Sequence, residues 1–361
     1  MKLIRKLISL TKDRDMKTFT KTLFAGIAAG AMIAGAATTA AVAMDYKGKT
    51  VKIVIPYGPG GTYDKYGVAF SNHLGNHIPG NPNIILQHMP GAGGAKAMNW
   101  FANVAPKDGL TLIVPLDNGV TNQLMRPKKM RYDARKFAWL GSSNQTNVVM
   151  VVRTDSGVTK LEDLKTKAII GSTSGKNSSG YLNPMLIQGL FDYKIKMVTG
   201  YKGSSKSIFA MEQGESQMAA FNWLAWASKV PHWFTGDKPF ARAIAQVGIF
   251  RDPDLPKSVP MINDLVTDEM DKKAVGFLSV AGLLGRGLAL PPGVDKDVVA
   301  TLRAAYDKMN ADPAFAAELK KRKLRLIPST GAQIQKVVND SVDNASPAVV
   351  KHARKLIFGE S

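Results

Sequence analysis

Val51-Lys-Ile-Val-Ile-Pro-Tyr-Gly-Pro-Gly-Gly-Thr-Tyr-Asp64 is an apolar, β-branched run that breaks into a glycine-rich turn and then a helix-like segment. A strand that delivers free backbone N–H groups to a helix N-terminus is a site for a small anion. The glycines permit close backbone approach, Thr62 adds a hydroxyl, and Asp64 is placed to cap or orient the turn. It is not a dinucleotide fingerprint, because Tyr63 stands where the last glycine belongs. A second loop, Pro90-Gly-Ala-Gly-Gly-Ala95, fails the same spacing at Lys96.

A third loop, Gly171-Ser-Thr-Ser-Gly-Lys-Asn-Ser-Ser-Gly180, has one residue too few before Gly175-Lys176 for a phosphate-binding loop, and Asn177 where Ser or Thr is needed. Thr173 occupies the serine position of a nucleophile elbow, and no histidine is nearby in sequence. What remains is a hydroxyl-rich anion loop between a strand and a helix. Asn222 and Trp223 fall where another strand-like run ends, the edge at which α/β sheets present ligands, so one of them is expected to line a cleft. His73 and His77 have helical spacing, but Gly75 lies between them and no third ligand is evident, so neither a metal nor a cofactor is expected.

These loops need strands and helices to hold them. Val51 to Ile55, Ile84 to Gln87, Thr111 to Val114, Val148 to Val152, Ala168 to Ile170, Lys196 to Val198, Met218 to Ala220 and Ala243 to Val247 alternate with helical patterns. That alternation predicts an α/β protein with mixed, mostly parallel sheets. Val298, Leu302, Ala305 and Met309 recur at helical spacing, and Asp312-Pro313 ends that helix before another begins. Two domains are expected: 44–150 with 261–361, and 151–260.

The N-terminus carries a basic region, an alanine- and glycine-rich apolar core and small residues ending at Ala43, the layout of a cleaved signal peptide over 1–43, with Met16 an alternative start. Export to the periplasm follows as an expectation. The formal charge is +20, and removing 1–43 takes away seven basic and two acidic side chains, leaving +15. Lys and Arg are scattered, and the densest run, Lys320-Lys-Arg-Lys-Leu-Arg325, suits the end of a helix, so a field that draws in small anions is favoured over nucleic acid. The absence of cysteine removes disulfides, thiolate catalysis and anchoring through a lipidated cysteine.

Taken together, Gly58 to Asp64, Met89 to Lys96, Ala105-Pro-Lys-Asp-Gly-Leu-Thr-Leu-Ile-Val114, Gly171 to Gly180, Tyr201-Lys-Gly203 and Pro291-Pro-Gly293 resemble, in order and spacing, a tripartite tricarboxylate transporter solute-binding receptor over nearly all of the chain after residue 43. The resemblance implies a two-domain, type II-like periplasmic binding protein with its ligand cleft between the domains. In that family the first loop binds a ligand carboxylate largely through backbone amides. This assigns Gly60, Gly61, Thr62 and Asp64 to the site, with Tyr57 or Tyr63 as a wall. Two anions repel, so Asp64 would hold the turn rather than touch the carboxylate. Gly91 and Ala92 of the second loop would contact or support the cleft. Ser172, Thr173, Ser174, Asn177 and Ser178 would meet the far end of the ligand. Lys176 departs from the common pattern and could add a charge-assisted bond, and Tyr201 would close the rim.

The implied protein is no enzyme but a monomeric receptor. It would close on a small carboxylate, foremost a dicarboxylate, and deliver it to two integral membrane components. A periplasmic sensor for a signalling partner is the alternative, and a serine-loop hydrolase a weaker one.

Overall fold

The computed structural model describes residues 44–359, and the signal-peptide assignment lies outside the described residues. Two sheets organise them. The first has the order β11-β4-β10-β3-β1-β2, built from β1 (Thr50–Ile55), β2 (Asn83–His88), β3 (Thr111–Ile113), β4 (Ala138–Ser142), β10 (Gly287–Leu290) and β11 (Ser329–Thr330). The second has the order β7-β6-β8-β5-β9, built from β5 (Val148–Arg153), β6 (Ile169–Thr173), β7 (Ile195–Thr199), β8 (Met218–Asn222) and β9 (Ala241–Val247).

Both sheets are mixed. β1 lies parallel to β2 and β3, and β6 parallel to β7 and β8, each through a helical crossover. The strands that follow a passage between sheets run the other way: β5 is antiparallel to β8 and β9, and β10 to β3 and β4. β1 shows why its sequence makes a strand here, since Val51, Ile53, Val54 and Ile55 are fully buried and β-branched, as an interior parallel strand requires.

Core packing divides along the same lines. The helix Thr62–His73 buries Tyr66, Ala69 and Phe70 against the first sheet, and Lys296–Asn310 adds Leu302, Ala305, Tyr306 and Met309. Ile262, Val275 and Leu278, with Ala353 and Ile357 of the terminal helix Pro347–Phe358, pack instead into the core of the second sheet. The chain passes from β4 to β5 and returns from β9 to β10 along neighbouring paths: the Ser143 N–H donates to the Arg286 carbonyl at 2.9 Å, and the Thr146 N–H to that of Gly282 at 3.2 Å.

Candidate functional site

Three helices start at one small chamber between the two sheets. Thr62–His73 begins after Gly61, Ser179–Phe191 after Ser178 and Ser204–Glu212 after Gly203, and none of the three has a side-chain cap on its first N–H groups. Gly61, Thr62, Ser178, Ser179, Gly203 and Ser204 all line the same cavity, of about 50 Å³. Orphan N–H groups and the positive ends of three helix dipoles therefore face one space.

Opposite them lies a full positive charge. Arg286, the residue before β10, is 2% exposed and lines the chamber. Its Nη1 donates to Asp117 Oδ2 and to the Gly285 carbonyl, both at 2.8 Å, and its guanidinium carbon sits 3.7 Å from the centre of the Tyr63 ring. Burial works to lower its pKa, but Tyr63 and Asp117 beside it outweigh that, so the net shift is upward and the group stays a cation. Among the described residues its Nε is buried without a partner.

Asp117 is held on its other side, where Oδ1 accepts from the Asn118 N–H and from Ser179 Oγ, both at 2.8 Å. Thr62 Oγ1 accepts from Asn222 Nδ2 at 2.9 Å and lies 3.4 Å from Arg286 Nη2, which leaves its own hydrogen to donate. Tyr57 and Tyr63 meet edge to face with centroids 4.8 Å apart. Burial pushes both phenols well above their usual range, so they are neutral hydrogen-bonding groups. The set offers many donors and one fixed cation, with no nucleophile–base pair, and it suits binding of an anion rather than its conversion.

The residues singled out from sequence divide by position. Tyr57, Gly61, Thr62, Ser174, Ser178 and Asn222 line the chamber, and so does Tyr63. Gly60 and Asp64 lie behind it, the Gly60 N–H donating to Asp64 Oδ2 at 2.7 Å while Asp64 Oδ1 meets His88 Nε2 at 2.6 Å. Gly91, Ala92 and Tyr201 line an adjoining cavity of about 180 Å³ that shares Tyr57 and Ser174 with the chamber. Ser172 and Thr173 are fully buried in the strand beneath, bonded to Ser216 and Ser178. Lys176 points to solvent. Asn177 bridges the two sheets' loops: its carbonyl accepts from Asn118 and Asn122, its Oδ1 from Arg126, and its Nδ2 donates to the Ala92 carbonyl, all at 2.7–2.8 Å. Trp223 faces a separate cavity.

Sequence reasoning missed Asp117, Ser179, Ser204 and Arg286. The one legible signal was Arg286 itself, a charge alone within Leu283-Leu-Gly-Arg-Gly-Leu-Ala-Leu290, where an ion must find a partner.

Comparison with known proteins adds an independent line. The family model described as tripartite tricarboxylate transporter family receptor matches residues 74–354. A UPF0065 protein of Bordetella pertussis (strain Tohama I) is 21% identical over 320 residues, covering 87% of this chain and 92% of its own. The fold is that of the periplasmic binding protein BugD, with a TM-score of 0.68, 17% identity, and 85% and 98% of the two chains covered. MatC from Rhodopseudomonas palustris, solved with malate, gives 0.66 at 19% identity over 83% and 98%. An R. palustris protein solved with adipate gives 0.66 at 19% over 86% and 98%.

Proposed function

The chain belongs to the tripartite tricarboxylate transporter receptor family, and from that premise we propose that it captures a small organic dicarboxylate in the periplasm and delivers it to the membrane components of a transporter. It is a solute-binding protein and not an enzyme. The observation that carries the ligand class is the convergence of three uncapped helix N-termini on a chamber that also holds the buried Arg286. One carboxylate would take Arg286 and Thr62, and the other the hydroxyls of Ser174 and Ser204. The bound malate and adipate of the two R. palustris structures, both dicarboxylates, support the same class.

The two sheets and their helices would act as two lobes, with Glu269–Ser279 and Pro347–Phe358 riding on the second. A ligand that touches both lobes favours the closed form, and the closed form would be what the permease reads. Among the described residues no helix is long and apolar enough to cross a membrane.

Thermal unfolding of the purified protein against mono-, di- and tricarboxylates tests this reading, since a ligand of the folded state raises the midpoint by mass action. Saturable stabilisation by dicarboxylates of one length is expected. Stabilisation by none of the acids, with a sugar or amine active instead, would refute it.

A further inference from the structure

A second cavity, of about 870 Å³, shares no lining residue with the chamber. Its apolar wall is made by Trp223, Phe234, Leu255 and Val259, with Trp223 and Phe234 edge to face at 5.2 Å. Two donors in this wall lack acceptors. Trp223 is 7% exposed, and its indole N–H is buried without a hydrogen-bond partner. Among the described residues Arg242, half-buried on the edge strand β9, has no ion pair, and its Nε is likewise buried and unpartnered.

A buried donor without an acceptor is destabilising, and a half-buried guanidinium without a counter-ion adds to that. The acids nearby do not relieve it. Asp254 lines the cavity but is held by Arg325, and Glu162 and Lys160, of opposite charge, line it as exposed residues of the same turn.

We propose that this cavity binds an apolar monocarboxylate with a flat, ring-containing body. The ring packs between Trp223, Phe234 and the aliphatic wall, and the carboxylate takes the Arg242 guanidinium and the Trp223 N–H. One unpaired arginine sets one negative charge, and the apolar wall selects the body. The volume is that of a small-molecule site. The proposal does not depend on what the chamber binds.

Calorimetric titration of the purified full chain with 3-phenylpropionate and with its uncharged amide is the test. The wild type, Arg242→Gln, Trp223→Phe and the chamber-blocking Gly61→Val are compared. One-to-one binding with Kd below roughly 1 mM is expected in the wild type and in Gly61→Val, with affinity about tenfold weaker for the amide and in Arg242→Gln. Arg242 has no partner to lose among the described residues, so that variant should fold normally and carries the test even if Trp223→Phe is destabilised. Absence of saturable binding to the wild type would overturn the proposal. Affinity unchanged in Arg242→Gln, or binding abolished in Gly61→Val, would overturn it equally.

Discussion

Arg286 is buried where an unpaired ion would be expensive, and its pairing with Asp117 is what allows the chamber to hold a positive charge. Removing one partner strands the other. Arg286→Met should therefore lower stability by about 3–5 kcal/mol in urea unfolding, while Arg286→Met combined with Asp117→Asn recovers most of that loss. Neither variant should be stabilised by carboxylates, which separates the binding role from the structural one. The sequence made the loop residues legible because glycines and hydroxyls after an apolar run have few other uses, and Gly61, Thr62, Ser174 and Ser178 do line the chamber. Asp117 and Ser204 were illegible for a physical reason: an acid after β3 and a serine opening a helix look like solvated turn residues until the opposite sheet is placed against them.

At the scale of elements, the loops of the two sheets meet backbone to backbone at a pair of glycines. A Cβ built on Gly175, whose φ is +151°, would lie 2.7 Å from the Gly93 nitrogen. Gly175→Ala should hold the two loops apart and weaken ligand binding about tenfold or more by calorimetry, and because a residue with a Cβ is strained at that φ the denaturation midpoint should fall as well. A second element-level link is Glu318 on the helix Pro313–Lys321, which meets His73 at 2.7 Å, Arg322 at 2.7 Å and Asn72 at 3.0 Å. Desolvation works to raise its pKa, but these three bonds outweigh it and hold the carboxyl below its ordinary 4.5. A depressed carboxyl contributes stability that is complete above the unfolded value and is lost as pH falls through the folded one. Glu318→Gln should thus cost about 0.5–1 kcal/mol at pH 7, and the difference from wild type should shrink as pH falls below the ordinary 4.5 and through the depressed folded value in pH-dependent urea unfolding. The eight strand runs expected from sequence all appear; seven contain β-branched apolar residues, which suit a buried pleated sheet, while Met218-Ala-Ala220 holds none. β4, β10 and β11 were not expected: Ala138–Ser142 and Gly287–Leu290 are rich in Gly, Ala and Leu, and Ser329–Thr330 is only a pair, so their strand state comes from sheet pairing rather than from propensity.

Across the whole molecule, two mixed sheets are joined by neighbouring passages, one of which carries Arg286 into the chamber. The charge that is proposed to read the ligand therefore sits on a connection between the proposed lobes, so occupancy and closure would be coupled at one residue. Fold class was legible from the alternation of strand and helix patterns, while the packing of Ile262 to Leu278 and of Pro347–Phe358 against the second sheet was not, since amphipathic helices do not name the sheet they cover. The central claim is that the chamber is a carboxylate site. Calorimetric titration of succinate, malate and adipate into protein first unfolded and refolded to remove any carried ligand tests it most directly, in the wild type and in Gly61→Val, where a Cβ alone would come within 2.8 Å of Ser204 Oγ. One-to-one binding of at least one of these acids to the wild type, abolished in a still-folded Gly61→Val, is the predicted result. Binding of none of them, or equal binding in both proteins, would contradict it.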